Sequence, residues 1–338
     1  MNRPKIVITN RVHEATIDIL RNRCEVVANS EANPWSCDQL LDEARGAVGM
    51  MAFMTDCVDR DFLARCPSLQ IIAGVLKGFD SFDVEACTDR GIWLTVVSDR
   101  LTVATAELTI GAMIGISRHI VEGDTYVRRD YQGWRPTFYG LGLHNSTVGI
   151  LGMGAVGQAI ARRLKAFECR ILYFDDKPIQ RQDSAMLGAC FSCLDEILKQ
   201  SDFLVIALPL NARTLHLICA ETLARMKPGC YLVNTARGSI VNEEAVADAL
   251  DRGHLAGYAA DVFEMEDLSR GDRPPSISPR LLAERSRTVL TPHLGSADGR
   301  ARQAAEIEMA QSILDYLSGC TPRGAVNNPC NRRAMAAC

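Results

Sequence analysis

Short apolar runs alternate with amphipathic stretches from the first residues onward. Lys5–Thr9, Cys24–Ala28, Gly49–Phe53, Leu69–Val75 and Trp93–Val97 are each about the length of a buried strand, with helical patterns such as His13–Arg21 and Cys37–Arg45 between them. Strands that are apolar throughout and separated by helices predict a parallel sheet covered on both faces, an α/β fold. A second series of runs begins at Thr147 and comprises Val148–Leu151, Arg170–Phe174, Phe203–Leu208, Tyr231–Asn234, Gly257–Val262 and Val289–Thr291. One long helical pattern, Thr105–Arg128, lies between the two series, and another, Ala297–Leu317, follows the second. A helix after the last strand predicts a return to the first sheet. The expected architecture is two Rossmann-like or flavodoxin-like parallel-sheet domains, one inserted into the other: 1–100 with 295–320 as a split substrate domain, and 101–294 as a nucleotide domain. Sites in such folds form at strand carboxyl ends and between domains, so the site is expected in the cleft. An extended arm at about 119–146 is expected to mediate self-association, and 321–338 reads as a frayed tail.

At 338 residues the chain has room for two cores. A net charge of −4 offers no basic field, which argues against nucleic acid as a partner. The opening MNRPKIVITN shows no signal-peptide pattern, and no apolar run approaches the about 18 residues of a membrane helix, so a cytoplasmic protein without a membrane partner is expected. There are 13 cysteines, but most, including Cys57, Cys66, Cys87 and Cys219, fall in strand or helix patterns and read as small buried hydrophobes. Cys190 and Cys193 form one CxxC with no second pair, so no metal is expected.

The chemistry gathers behind the second series of strands. Gly152-Met153-Gly154-Ala155-Val156-Gly157 follows the strand TVGIL and opens a helical pattern, the context a dinucleotide loop requires. Gly152 makes the tight turn, Gly154 admits the pyrophosphate and Gly157 lets helix and strand pack. Asp175, eighteen residues past Gly157, ends the next strand beside Asp176. Acids there bind the ribose hydroxyls and repel a 2′-phosphate, which predicts NAD rather than NADP. Arg237 in VNTARGS, Glu266 in ADVFEMED and His293 in LTPHLGS each follow an apolar run. A planar guanidinium suits an oxyanion, and a histidine oriented by a carboxylate suits proton transfer.

In this order the GxGxxG, ARG, DVFxxE and TPHxGS motifs resemble those of the D-isomer-specific 2-hydroxyacid dehydrogenases over nearly the whole length. The resemblance implies the split two-domain fold, NAD, a homodimer, and Arg237, Glu266 and His293 as the catalytic set. Further NAD contacts it implies are Lys77, Thr105, Leu208, Pro209, Thr235, Ala236, Asp261 and Ser296, together with Arg237 and His293 themselves.

Two departures from the family pattern refine the expectation. The usual Glu-Pro pair is Glu266-Asp267 here, and the usual Gly-Val-Gly substrate loop reads Gly74-Val75-Leu76-Lys77-Gly78, which adds a cation to the expected substrate side. Two cations suit a dianion better than a monocarboxylate. The stretches MMAFM, LKGFDSFDV, YQGWRPTFYG, GILGMGAVG and GYAADVFEMED resemble the phosphite-oxidising branch of the family. That resemblance implies oxidation of phosphite to phosphate, with Met54, Lys77, Gly78, Trp134, Tyr139, Ser296 and Arg302 around the substrate. The alternatives are a D-2-hydroxyacid dehydrogenase or glyoxylate/hydroxypyruvate reductase using the same triad, and an NAD-sensing, corepressor-like binding protein.

Overall fold

In a computed structural model, residues 3–134 and 138–329 are described, apart from the side chain of Asp130. The chain forms two compact units. One comprises Met1–Leu101, Leu268–Gly271 and Asp298–Cys338; the other comprises Thr102–Asp267 and Asp272–Ala297.

The first unit is built on five parallel strands, β1 (Lys5–Ile8), β2 (Glu25–Ala28), β3 (Gly49–Ala52), β4 (Ile71–Gly74) and β5 (Trp93–Val96), in the order β2-β1-β3-β4-β5. Every residue of β3, β4 and β5 is buried, which is why these runs carry no polar alternation. Val7, Met50, Ile72 and Leu94 face one layer of helices, and Ile6, Ile8, Met51 and Ile71 face the other. The helix Gly299–Leu317 belongs to this second layer through Ala305, Met309 and Ile313. It starts two residues inside the periodic pattern because Asp298 caps it, accepting the Ala301 N–H at 2.7 Å.

The second unit holds seven parallel strands: β6 (Thr147–Leu151), β7 (Arg170–Phe174), β8 (Ala189–Phe191), β9 (Phe203–Ile206), β10 (Cys230–Asn234), β11 (Leu255–Ala260) and β12 (Thr288–Leu290). Their order is β12-β11-β10-β9-β6-β7-β8. The sequence pattern missed β8. It is a three-residue edge strand with two exposed positions, too short to register as an apolar run. The pattern Thr105–Arg128 is two helices rather than one, Thr102–Ser117 and Ile120–Asp130, broken where His119 adopts φ 53°. A left-handed residue cannot continue a right-handed helix.

The tail is not frayed where it is described. Val96 N–H donates to Gly324 O and Val326 N–H to Leu94 O, both at 2.9 Å, so the segment pairs antiparallel with the otherwise open edge of β5. Asn327 completes the edge by accepting the Leu94 N–H (2.8 Å) and donating to Ile92 O (2.9 Å) and Thr88 Oγ1 (3.0 Å). An unpaired edge is what a parallel sheet must cover, and a sequence without periodicity can still cover it with backbone. Among the cysteines, Cys66 and Cys87 are buried and burial pushes the Cys87 thiol up to about 12. Cys57 is exposed and Cys219 half-buried, so the strand-like pattern misplaced them. No helix among the described residues is long and apolar enough to cross a membrane, and no group of metal-ligating residues forms among them.

Asn327→Ala removes the side-chain partner of the Leu94 N–H and the Ile92 carbonyl at the β5 edge. It is expected to destabilise the first unit by about 1–3 kcal/mol. A lower thermal midpoint and faster exchange of the Leu94 amide would show it; an unchanged Leu94 exchange rate would mean the tail pairing contributes nothing.

Candidate active site

The second unit presents its chemistry at the carboxyl ends of its strands. After β6 the backbone turns at Gly152 with φ 97°, and a Cβ there would lie 2.5 Å from Ala207 O. A Cβ at Gly157 would lie 2.1 Å from Gly152 O, whereas one at Gly154 would meet nothing within 4 Å. Two glycines are therefore required by packing. The third borders open space at the start of the helix Ala155–Leu164, which no side chain caps. A bare helix N-terminus with room for a close approach fits a dinucleotide pyrophosphate, with Gly154, Ala155 and Val156 nearest it.

Asp175 lies beside this loop, half-buried. One oxygen accepts the Met153 N–H and the other the Asp176 N–H, each at 2.7 Å. Asp176 is exposed and paired to Arg213 at 2.9 Å. Sequence reasoning saw Lys177 next to this acid pair but not Arg213, which is 37 residues away and arrives from the loop after β9. Leu208 is half-buried against the core, and the carbonyl of exposed Pro209 accepts Thr214 Oγ1 at 2.6 Å. Thr235 is buried and shares a 2.8 Å hydrogen bond with Thr109, and Thr105 donates to Gly295 O at 3.1 Å. These last contacts fix the helix Thr102–Ser117 against the loops that follow β10 and β12.

His293 and Glu266 meet directly, with Nδ1 to Oε2 at 2.6 Å. An ionised carboxylate can only accept, so Nδ1 carries the proton and Nε2 is the nitrogen left for chemistry. The imidazole is held by its backbone. His293 has φ 55°, and its N–H donates to Asp261 O at 2.9 Å and Thr291 O at 3.0 Å. The Asp261 carboxylate is 2% exposed and fully engaged, with Oδ1 accepting Thr291 Oγ1 (2.5 Å) and Leu294 N–H (2.7 Å) and Oδ2 accepting Gly295 N–H (2.7 Å). The structure thus places Asp261 as the clasp of the His293 loop, a role its expected contact with NAD did not include. Glu266 Oε1 accepts the Phe263 N–H at 3.1 Å, which leaves Oε2 to the histidine.

Arg237 follows β10 in extended conformation, half-buried, with Nη1 donating to Ala236 O at 2.9 Å. Asn234 shapes this turn: it is wholly buried, donates to Arg237 O (2.8 Å) and accepts the Ala236 N–H (3.1 Å). Neither Asn234 nor Asp267 was singled out by sequence reasoning for such a role. An asparagine that ends a strand is the one signal available for the first. Ser296 is half-buried beside Gly295. Of the other histidines, His216 pairs with Glu264 at 2.7 Å, and His254 contacts Leu223 O at 2.8 Å, both structural roles.

The first unit carries the remaining expected residues. Lys77, in the loop after β4, is half-exposed and lies 3.0 Å from Asp99; Gly78 follows it half-buried. Met54 is half-buried after β3. Arg302 is mostly buried, its guanidinium 4.9 Å above the Phe53 ring and its Nε 3.6 Å from Glu306. Burial lowers its pKa, opposed by Glu306. Glu306 is itself buried and bonded to His13 Nδ1 at 2.9 Å, a pairing the sequence did not suggest. Trp134 and Tyr139 stand 83% and 84% exposed. Residues 135–137 of their stretch lie outside the described ones.

The description "D-isomer specific 2-hydroxyacid dehydrogenase, NAD binding domain" matches residues 110–295. A glyoxylate reductase of Pyrococcus furiosus is 37% identical over 331 residues, 96% of each chain. A glyoxylate reductase structure from Paecilomyes thermophila superposes with a TM-score of 0.83 at 27% identity, covering 96% of this chain and 99% of that one. An NADPH-dependent glyoxylate/hydroxypyruvate reductase of Sinorhizobium meliloti, solved with NADP and malonate, gives 0.81 at 28% identity, covering 96% and 97%. The chain is an NAD-binding oxidoreductase by fold and site, and it belongs to the D-isomer-specific 2-hydroxyacid dehydrogenase family.

The Asp176–Arg213 pair decides the expected response to cofactor charge. Asp176→Ala frees the Arg213 guanidinium beside Asp175, the acid expected at the ribose, and a free guanidinium binds a phosphate. The expected result is a rise of about 10-fold in kcat/KM with NADP, against a change of less than about 3-fold with NAD. If Asp176→Ala and Asp176→Ala/Arg213→Ala use NADP equally, Arg213 does not reach that phosphate.

Proposed function

We propose that this enzyme oxidises phosphite to phosphate with NAD, acting as a phosphonate dehydrogenase. The observation that carries the reading is Lys77. It adds a second cation, in addition to Arg237, to the residues the family uses on its substrate, and it pairs with the exposed carboxylate of Asp99. An exposed pair of this kind is worth at most about 1 kcal/mol, so a dianionic substrate can displace it. The Glu266-Asp267 pair and the Lys77 loop, both departures from the usual family pattern, support the same reading.

In this reading Arg237 and Lys77 hold the phosphite oxyanions and offset charge that grows as oxygen adds to phosphorus. His293, its Nδ1–H directed at Glu266, takes a proton from the attacking water through Nε2. The P–H bond breaks, a P–O bond forms, and NAD when bound supplies the acceptor for the hydride. The proton on His293 then leaves to solvent.

The names of the relatives favour a second reading, in which the same triad serves a 2-hydroxy acid or glyoxylate. His293 would then take the hydroxyl proton and Arg237 the carboxylate. A panel separates the two: NADH formation with phosphite, D-lactate and D-glycerate, and NADH consumption with glyoxylate. Phosphite turnover far above the others is expected, and glyoxylate reduction with no phosphite turnover would overturn it. Lys77→Ala is expected to raise the phosphite KM about 10- to 100-fold, the cost of one charged hydrogen bond of roughly 1.5–3 kcal/mol. Arg237→Lys should retain only part of the activity, lacking the fork of donors.

We also propose that the chain pairs with a second copy through its arm, because Ile120, Val121, Val127 and Tyr131 are more than half exposed on one short stretch. Sedimentation equilibrium should give twice the chain mass. A monomer at micromolar concentration would refute it.

A further inference from the structure

Asp267 occupies the place where the family pattern carries proline, and its side chain is 3% exposed. Its Oδ2 accepts the backbone N–H of Ser239 at 2.6 Å. Ser239 lies two residues past Arg237, and Asp267 lies one past Glu266. The bond therefore joins the loop that carries the histidine's carboxylate to the turn that carries the anion-gripping arginine. These two pieces already touch without slack, since a Cβ on Gly238 would fall 1.9 Å from the Phe263 carbonyl carbon. The loop is pinned again at its start: Glu264 and Glu243 exchange bonds, each carboxylate accepting the other's N–H, at 2.8 and 3.0 Å. Glu243 also takes the Ser278 N–H at 2.9 Å, and its own burial pushes its pKa up. Glu264 is thus fixed toward the core of the unit, and Asp267 is what fixes the other end of the loop to the arginine turn.

We infer that Asp267 is a positioning residue that fastens the Glu266 loop to the Arg237 turn, so that the anion grip and the His293–Glu266 pair keep one geometry. A proline at this position has a ring in place of the carboxylate and could not accept the Ser239 N–H. The chain has replaced a stiff backbone with a charge-assisted hydrogen bond, and such a bond to a backbone N–H is short and strong. The inference rests on reading Arg237, Glu266 and His293 as the catalytic set, and it does not depend on which substrate is turned over.

The test compares Asp267→Ala and Asp267→Asn with the wild type. Asparagine keeps an oxygen acceptor for Ser239, and alanine does not. The Asp267→Ala variant should lose about 10- to 100-fold in kcat on whichever substrate the wild type uses, the scale of a misplacement of about 1 Å. NAD affinity by fluorescence titration should stay within about twofold, because the glycine loop is untouched. Asp267→Asn should recover kcat to within about threefold. A readout independent of turnover is the His293 Nδ1–H proton in NMR spectra. It should lie far downfield in the wild type and Asp267→Asn, and move or broaden in Asp267→Ala. Wild-type kcat and an unmoved His293 proton in Asp267→Ala would overturn the inference. So would equal losses in Asp267→Ala and Asp267→Asn, or a kcat loss matched by an equal loss of NAD-binding protein, which would mean damage to the fold alone.

Discussion

The carboxylate of Asp261, buried at the end of β11, is the constraint on which the loop carrying His293 depends. It accepts from Thr291, Leu294 and Gly295, and its carbonyl accepts from His293. A loop of five residues is thereby wrapped around one side chain. His293 is forced into a left-handed conformation that a histidine adopts only when its surroundings over-determine it, at a cost of about 1–3 kcal/mol. That conformation aims the imidazole at Glu266. A burial this deep is tolerable for a charged group because three donors replace its water, and charge-assisted bonds are the strong ones.

The same device recurs across the site. Asp175 closes on the glycine loop through the Met153 N–H, Glu243 and Glu264 close on each other's backbone, and Asp267 closes on Ser239. In each case a carboxylate accepts a main-chain N–H in a loop at or near a strand's carboxyl end. Loops have no ladder of their own to satisfy these groups, so side chains must do it. The chain's acidic balance is thus partly spent on shaping loops. The same charge also meets cations at the surface, where Asp176 engages Arg213 and Asp99 engages Lys77.

Much of this was legible in the sequence. Parallel strands buried on both faces announce themselves as unbroken apolar runs, and all eleven runs match strands to within two residues at either end. The glycine loop was legible because its spacing is dictated by contacts that tolerate no Cβ. Arg237, Glu266 and His293 were legible because each follows such a run, and a strand's carboxyl end is where a parallel fold gathers reactive groups. Among the runs, Gly257–Val262 is the strand β11 shifted two residues along, since Leu255 pairs with Cys230 and the register then skips Ala256 before Gly257 pairs with Tyr231.

What the sequence by itself determined is local: the periods of its runs, the turn its glycines permit, and the residue types able to bind an oxyanion or move a proton. Tertiary structure decided which partner each polar group meets. Arg213 reaches Asp176 across 37 residues, Asp267 reaches Ser239 across 28, and Asn327 reaches Leu94 across 233. No period records such pairings, because a hydrogen bond depends on where two atoms lie in space, and that is set only when the sheets have packed.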